Sequence, residues 1–290
     1  MKLYLTLLGS LLLHFSTQAQ HSINGLQSPE SVVSYKNGYF VSNIGPKLEP
    51  LAKDGDGTIA WINGEKLVTL KYFDDTLNAP KGLDIIGDIL YVADIDHLKG
   101  YDINSRKKVF DLNLEGQAGL LNDVNAANDS MVLISDTFKG NVLMVNVRGG
   151  SYEVLKGDVP AANGVLYDPK TDIVYLNTSG PNFDGNGKLY AKKLSDKEAA
   201  FTAVENSPTG LFDGIVLLDD NRIVLSDWIT VKNPTSGRLV IYDLKTKQFT
   251  SMDVKHGAAD IALDRKKHML LLPLLPDNTL EIMPLAKIGH

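Results

Sequence analysis

Six polar residues stand at matching points of a repeated segment: Glu30, Lys81, Asn122, Asn163, Asp213 and Asp260. They belong to the stretches Pro29-Glu30-Ser31-Val32, Pro80-Lys81-Gly82-Leu83, Leu121-Asn122-Asp123-Val124, Ala162-Asn163-Gly164-Val165, Phe212-Asp213-Gly214-Ile215 and Ala259-Asp260-Ile261-Ala262. Five of the six side chains end in a carboxylate or an amide; Lys81 is the one cation. Carboxylates and amide carbonyls are hard oxygen donors. Brought together they suit Ca²⁺ or Mg²⁺ and can also hold Mn²⁺ or Zn²⁺. A divalent cation held in this way polarises carbonyls and acidifies water, the chemistry of metal-assisted hydrolysis.

Residues so far apart in sequence meet only if the repeats close into a ring. Each opening is followed by a turn and a second short apolar run, at residues 39–43, 89–94, 132–136, 173–177, 222–227 and 269–274. The openings recur every 41–51 residues, the length of a propeller blade. Val, Ile, Leu and Tyr runs bounded by Gly, Asn, Asp and Pro read as strands. In the third repeat, residues 123–126, 131–135, 141–147 and 151–155 make four of them. Similar third strands fall at 58–62, 98–103, 188–193, 237–244 and 280–284, and no long amphipathic helix is evident. The prediction is an all-β, six-bladed β-propeller forming a single domain over residues 20–290. Residues 21–26 are expected to pair with the last blade and close the ring, which leaves few open sheet edges.

If each inner strand starts at the motif residue, the return strand ends at the same mouth of the channel. That second set is Asn43, Asp94, Asp136, Asn177 and Asp227, with the apolar Leu274 in the sixth repeat. Asp and Asn commonly end strands because they accept turn hydrogen bonds, so this set has a purely structural reading. Asn163-Gly164 and Asp213-Gly214 instead sit at strand starts in register around a channel, which favours a ligand site.

Composition narrows the setting. Lys2, the apolar stretch 3–15 and Thr17-Gln18-Ala19 read as a secretory leader over residues 1–19, cleaved before Gln20. The expected localisation is secreted or periplasmic, with no membrane association after cleavage. The chain has no cysteine, which excludes disulfides, Cys-based zinc sites and a Cys nucleophile. A net charge of −6 argues against nucleic acid as a partner. There is no Gly-x-Ser-x-Gly elbow for serine hydrolase chemistry. Asp54-Gly55-Asp56-Gly57 lacks the later ligands of a calcium loop and reads as a turn. Trp228, next to Asp227, is a candidate apolar wall for a ligand.

The series Glu30, Asn122, Asn163-Gly164 and Asp213-Gly214 resembles the senescence-marker-protein / gluconolactonase / luciferin-regenerating-enzyme family, across the whole mature chain. The resemblance implies a six-bladed propeller with one divalent metal at its channel mouth, Ca²⁺ ahead of Mg²⁺, Mn²⁺ and Zn²⁺. Glu30, Asn163 and Asp213 would be its ligands, and Asn122 would join them or hold substrate or metal-bound water. It also implies hydrolysis of a cyclic ester such as a lactone. Two departures stand out. The blade-one motif reads Gln27-Ser28-Pro29-Glu30, where the internal repeat selects Glu30 over Gln27. An Arg that some of the family's lactonases carry two residues before the blade-three Asn is Leu120 here, which points to a different substrate. Ring position adds two roles: Asp213 or Asp260 as general base, and Lys81 as oxyanion stabiliser or counter-charge. Two other readings compete: a non-catalytic propeller binding a protein, peptide or polysaccharide at the same mouth, and a strictosidine-synthase-like propeller without this metal set.

Overall fold

The repeats fold as six four-stranded antiparallel sheets in the computed structural model, which describes residues 19–232 and 236–288. The leader expected over residues 1–19 falls, apart from Ala19, outside the described residues. Among the described residues no helix is long and apolar enough to cross a membrane. In five blades the four strands follow chain order from the channel outward. The inner strands are Pro29–Tyr35, Pro80–Ile86, Leu121–Ala126, Ala162–Asp168 and Phe212–Asp219, with the short Ala262–Asp264 in the sixth blade. The sixth sheet takes its outer strand from the other end of the chain: His21–Asn24 pairs antiparallel with Thr279–Pro284. Leu26 N–H then donates to the Asn278 carbonyl at 3.1 Å, and Ser28 N–H to Asn278 Oδ1 at 2.7 Å. This closes the ring as the sequence predicts.

Apolar side chains lie between the blades. Phe40, Ile59, Leu83, Leu90 and Val92 join blades one and two; Leu133, Val142, Val165, Val174 and Leu176 join blades three and four. Each neighbouring pair of blades shares such a cluster, because a sheet buried on both faces needs runs like Met131–Asp136, with five of six residues buried. A further cluster gathers Ile44, Ile95, Leu120, Leu211, Trp228 and Leu275 from five blades. These residues follow a return strand or precede an inner strand, so they form an apolar collar around one end of the channel.

The return-strand acids are backbone clamps. Asn43 Oδ1 accepts from Gln27 N–H at 3.0 Å; Asp94 accepts from Asn78 and Ala79 N–H at 3.0 and 2.9 Å. Asp136 accepts from Gly119 and Leu120 N–H at 2.8 and 2.9 Å, and Asp227 from Leu211 N–H at 2.9 Å. Each side chain ties down the segment entering its own inner strand. Buried N–H groups at a chain crossover need such acceptors. The structural reading of this set therefore holds for these four residues.

The motif residues sit in β-bulges. Register shifts fall between Pro29 and Ser31, Pro80 and Leu83, Leu121 and Val124, Ala162 and Val165, and Phe212 and Ile215. A bulge frees a backbone N–H from the ladder. Here Ser42, Ser135 and Ser226 Oγ accept it from Ser31, Asp123 and Gly214, while Asn177 Oδ1 serves Gly164 at 2.9 Å. Asn177 is thus the counterpart of these serines, and Thr178 is the residue paired with Ala162 at the strand end. The fourth return strand runs one residue beyond the expected end.

The sixth repeat needs a similar correction. A Cβ on Gly82 would lie 2.5 Å from Asp123 Cα, with Asn122 O and Val124 N alongside. A Cβ on Gly214 would meet Ala259 O, Asp260 Cα and Ile261 N in the same arrangement, the last at 2.3 Å. Ala259 therefore corresponds to Asn122, and Asp260 to Asp123. Ala258 bridges Leu274 just as Leu121 pairs with Asp136. Counting residues missed this because the sixth repeat has no glycine to mark the close approach of blades.

Candidate functional site

The first ring around the channel is thus Glu30, Lys81, Asn122, Asn163, Asp213 and Ala259. Glu30 is 5% exposed, Lys81 3% and Asn163 7%, whereas Asn122 and Asp213 are half-buried and form the more open side of the chamber. Trp228 donates its indole N–H to Asp213 Oδ2 at 2.8 Å. Asn163 Nδ2 donates to Ser179 Oγ and the Phe212 carbonyl at 3.2 and 3.3 Å. Asn122 Nδ2 donates to Thr137 Oγ1 at 3.0 Å. With their NH₂ groups engaged, both amides keep their carbonyl oxygens for a ligand. Glu30 Oε2 is buried and has no hydrogen-bond partner among the described residues.

Burial dominates the electrostatics of this chamber. It pushes the Glu30 carboxyl well above the ordinary range; Lys81 pulls it back, and Asp213 and Asp260 push it further up. It raises Asp213 to about 6 against the Trp228 hydrogen bond, the Lys81 charge and the Asn163 amide, all of which lower it. Burial lowers the Lys81 ammonium, opposed by Glu30, Asp213 and Asp94. Glu30, Asp213 and Lys81 therefore act on one another as a single charged group.

Asp260, expected as a base at this mouth, belongs to a second ring one residue deeper. Ser31 Oγ donates to Asp260 Oδ2, and Asp260 N–H donates to the Glu30 carbonyl at 2.9 Å. Its neighbour across the channel is Asp123, which sequence reasoning missed as a channel residue. Asp123 receives the Val124 and Val165 N–H groups, both at 2.7 Å, so it stitches blade three to blade four. Burial raises both carboxyls well above their ordinary value, and the charge of Asp123 raises Asp260 further. One signal was present in the sequence: Asp123 occupies the slot that is Gly82, Gly164 and Gly214 in other repeats. Beyond this pair the channel widens into a funnel of about 290 Å³ toward the opposite face, walled by Val33, Leu83, Val165 and Ile215.

By type, these donors are the ones a hard divalent cation uses. Among the described residues no group of three or more His, Cys, Asp or Glu is arranged to hold a metal. A site here rests instead on two carboxylates, Glu30 and Asp213, and two amide carbonyls. The unpartnered Glu30 Oε2 is the observation in favour: a buried carboxylate oxygen without a donor is costly unless it is protonated or a cation meets it.

Stability should respond to pH accordingly. A carboxyl raised on folding binds more protons in the native state, so its contribution is present at low pH and lost as pH rises through the folded value. For Asp213 the window runs from the ordinary 3.8 to about 6. Glu30, Asp123 and Asp260 shift in the same direction. In chelator, thermal unfolding should occur at a higher temperature at pH 5 than at pH 7.5, with Asp213 contributing up to about 3 kcal/mol over its full window. A midpoint that falls on acidification would contradict this arrangement of charges.

No protein-family model matches the chain, and no curated protein sequence is similar to it. Similar solved structures exist. Hydrazine synthase from Kuenenia stuttgartiensis superimposes with a TM-score of 0.62 at 10% identity, over 89% of this chain and 76% of that one. The Cps50 (Swd1) β-propeller domain of Myceliophteria thermophila does so with a TM-score of 0.58 at 10% identity, over 91% of this chain and 99% of that one. At such identity the likeness is one of fold, and the chain is a six-bladed β-propeller.

Proposed function

We propose that this propeller is a metal-dependent hydrolase of cyclic esters, acting outside the cytoplasm on a lactone-like small molecule. One divalent cation, Ca²⁺ ahead of Mg²⁺, Mn²⁺ and Zn²⁺, would be held by Glu30, Asn163 and Asp213, with Asn122 completing the set. The observation that carries this reading is the buried, unpartnered Glu30 Oε2, on the same ring as Asp213 and the two asparagines. When bound, the cation supplies Lewis acidity for the ester carbonyl and lowers the pKa of water.

The chain's own residues supply the rest. Proton transfer falls to a carboxylate such as Asp213, which takes a proton from water and returns it to the leaving alkoxide. Trp228 fixes its Oδ2, leaving Oδ1 for that exchange. The Asn122 carbonyl orients water on the open side of the chamber. Lys81 offers a buried positive charge to the oxyanion that forms at the carbonyl. The apolar collar excludes bulk water above these groups.

The test is to purify the mature chain, determine its divalent metal content and assay a panel of lactones with and without EDTA. Bound metal with EDTA-sensitive hydrolysis supports the reading. A chain that binds no divalent metal and opens no lactone fits the non-catalytic alternative instead. That alternative draws on the mouth-side loops, where Leu51, Phe138 and Ile229 are 52%, 53% and 45% exposed and available to a macromolecular partner.

A further inference from the structure

We infer that the funnel on the face opposite the proposed metal chamber is a second binding site, for a small zwitterion whose ammonium and carboxylate ends stand several carbons apart. The site is independent of the cation proposed above: neither Glu30 nor Asp213 lines the funnel.

The funnel holds about 290 Å³, the volume of roughly ten waters. Val33, Leu83, Val165 and Ile215 give it an aliphatic wall drawn from four blades, which fits carbon better than a hydrated ion. Asp260 lines its deep end and is 9% exposed. Ser31 Oγ donates to Asp260 Oδ2, and among the described residues no donor reaches Oδ1. Asp123, at the same depth, is fully engaged: Oδ1 accepts from Val124 N–H and Oδ2 from Val165 N–H. A buried carboxylate oxygen without a donor is unfavourable, and an ammonium entering the funnel supplies one with a charge-assisted bond.

The outer end carries the opposite charge. Asp260 precedes the short strand Ala262–Asp264 and Arg265 follows it, so acid and guanidinium stand at the two ends of one wall. The chain between them spans at most about 16 Å at ~3.3 Å per residue. Arg265 is held at the rim by the Leu217 and Leu218 carbonyls, and its remaining N–H groups are available to a carboxylate. Leu263 and Arg265 also line an adjoining hollow with Lys36 and Lys266. The acids nearby are committed. Asp84 accepts the Ile85 and Ala126 N–H groups, both at 2.7 Å; Asp264 accepts from Tyr39 Oη at 2.9 Å and Lys267 N–H at 3.0 Å. A plain amine would meet like charge at this rim, and a plain carboxylate would meet like charge at the floor. A zwitterion satisfies both ends. The charges of an α-amino acid flank a single carbon and cannot span the wall; those of an ω-amino acid or a short apolar peptide can.

The experiment titrates the mature protein, in EDTA, with ε-aminohexanoate, hexylamine and hexanoate, read by saturation-transfer NMR and calorimetry. The zwitterion should bind, hexylamine at least ~3-fold more weakly and hexanoate weakest of the three. Asp260→Asn keeps an acceptor for Ser31 and removes the charge; it should weaken the zwitterion and the amine at least ~10-fold. Arg265→Gln, at the exposed rim, should weaken the zwitterion ~3-fold and leave hexylamine no weaker. Circular dichroism checks that both variants fold. The site is overturned if wild type binds none of the probes, if hexanoate binds as tightly as the zwitterion, or if a folded Asp260→Asn holds the zwitterion as wild type does. With EDTA present throughout, none of these outcomes bears on the metal reading.

Discussion

Replacing Asp213 by alanine should abolish the proposed divalent-cation binding and lower the proposed lactone hydrolysis by at least about a thousandfold. Asp213 is the point at which the proposed roles converge. It contributes one of only two carboxylates in the set, and Trp228 fixes its orientation. Lewis-acid assistance contributes several kcal/mol to the transition state, and each 1.36 kcal/mol is tenfold in rate. Loss of the metal and the general base together accounts for the thousandfold. Asp213→Asn preserves shape and one carbonyl donor, so it should bind metal weakly and remain far below wild type in rate. The Trp228 N–H loses a charged acceptor in both variants, so folding is checked first by circular dichroism. Undiminished metal affinity in a folded Asp213→Ala protein would remove this residue from the ligand set. Lost metal with retained hydrolysis would move the chemistry to Lys81 and Glu30.

Asp227→Ala has the largest expected effect on stability, about 3–5 kcal/mol. Asp227 is 2% exposed and accepts three hydrogen bonds: from Leu211 N–H at 2.9 Å, Ile229 N–H at 2.8 Å and Arg238 Nε at 2.6 Å. Alanine leaves two backbone donors without their acceptor and Arg238 without its carboxylate. It also frees the segment that delivers Asp213 to the channel. For a chain of this size the loss lowers the thermal midpoint by roughly 10 °C. Differential scanning calorimetry reads it directly; an unchanged midpoint would mean that the strand-end acids are not clamps.

The two predictions separate what looked alike in sequence. Asp213 and Asp227 are both acids at a strand end near the same mouth. The pattern Asp213-Gly214 correctly marks a channel residue, because Gly214 is required where the next blade's backbone comes within 2.3 Å of a would-be Cβ. Asp227 is legible as a turn acceptor by its chemistry, and the structure supplies the donors. Asp123 was less legible: it replaces a glycine in the repeat, and only the bulge beside it reveals that its side chain reaches blade four.

The order of strands and the number of blades followed from apolar runs, turn residues and a repeat length, which are local properties that each blade satisfies alone; the closure by residues 21–24 followed from the need to cover the last sheet edge. The identities of the ring residues in blades one to five followed as well, because a bulge with its small neighbour recurs at fixed distance from the turn. The tertiary structure alone decided which sixth-blade residue faces the ring, that Asp260 accepts from Ser31 of the first blade, and that Asp123 accepts from Val165 of the fourth. These are contacts between blades far apart in sequence. They depend on how closely neighbouring backbones pack and on the price of burying charge, and neither is written in the period of a single repeat.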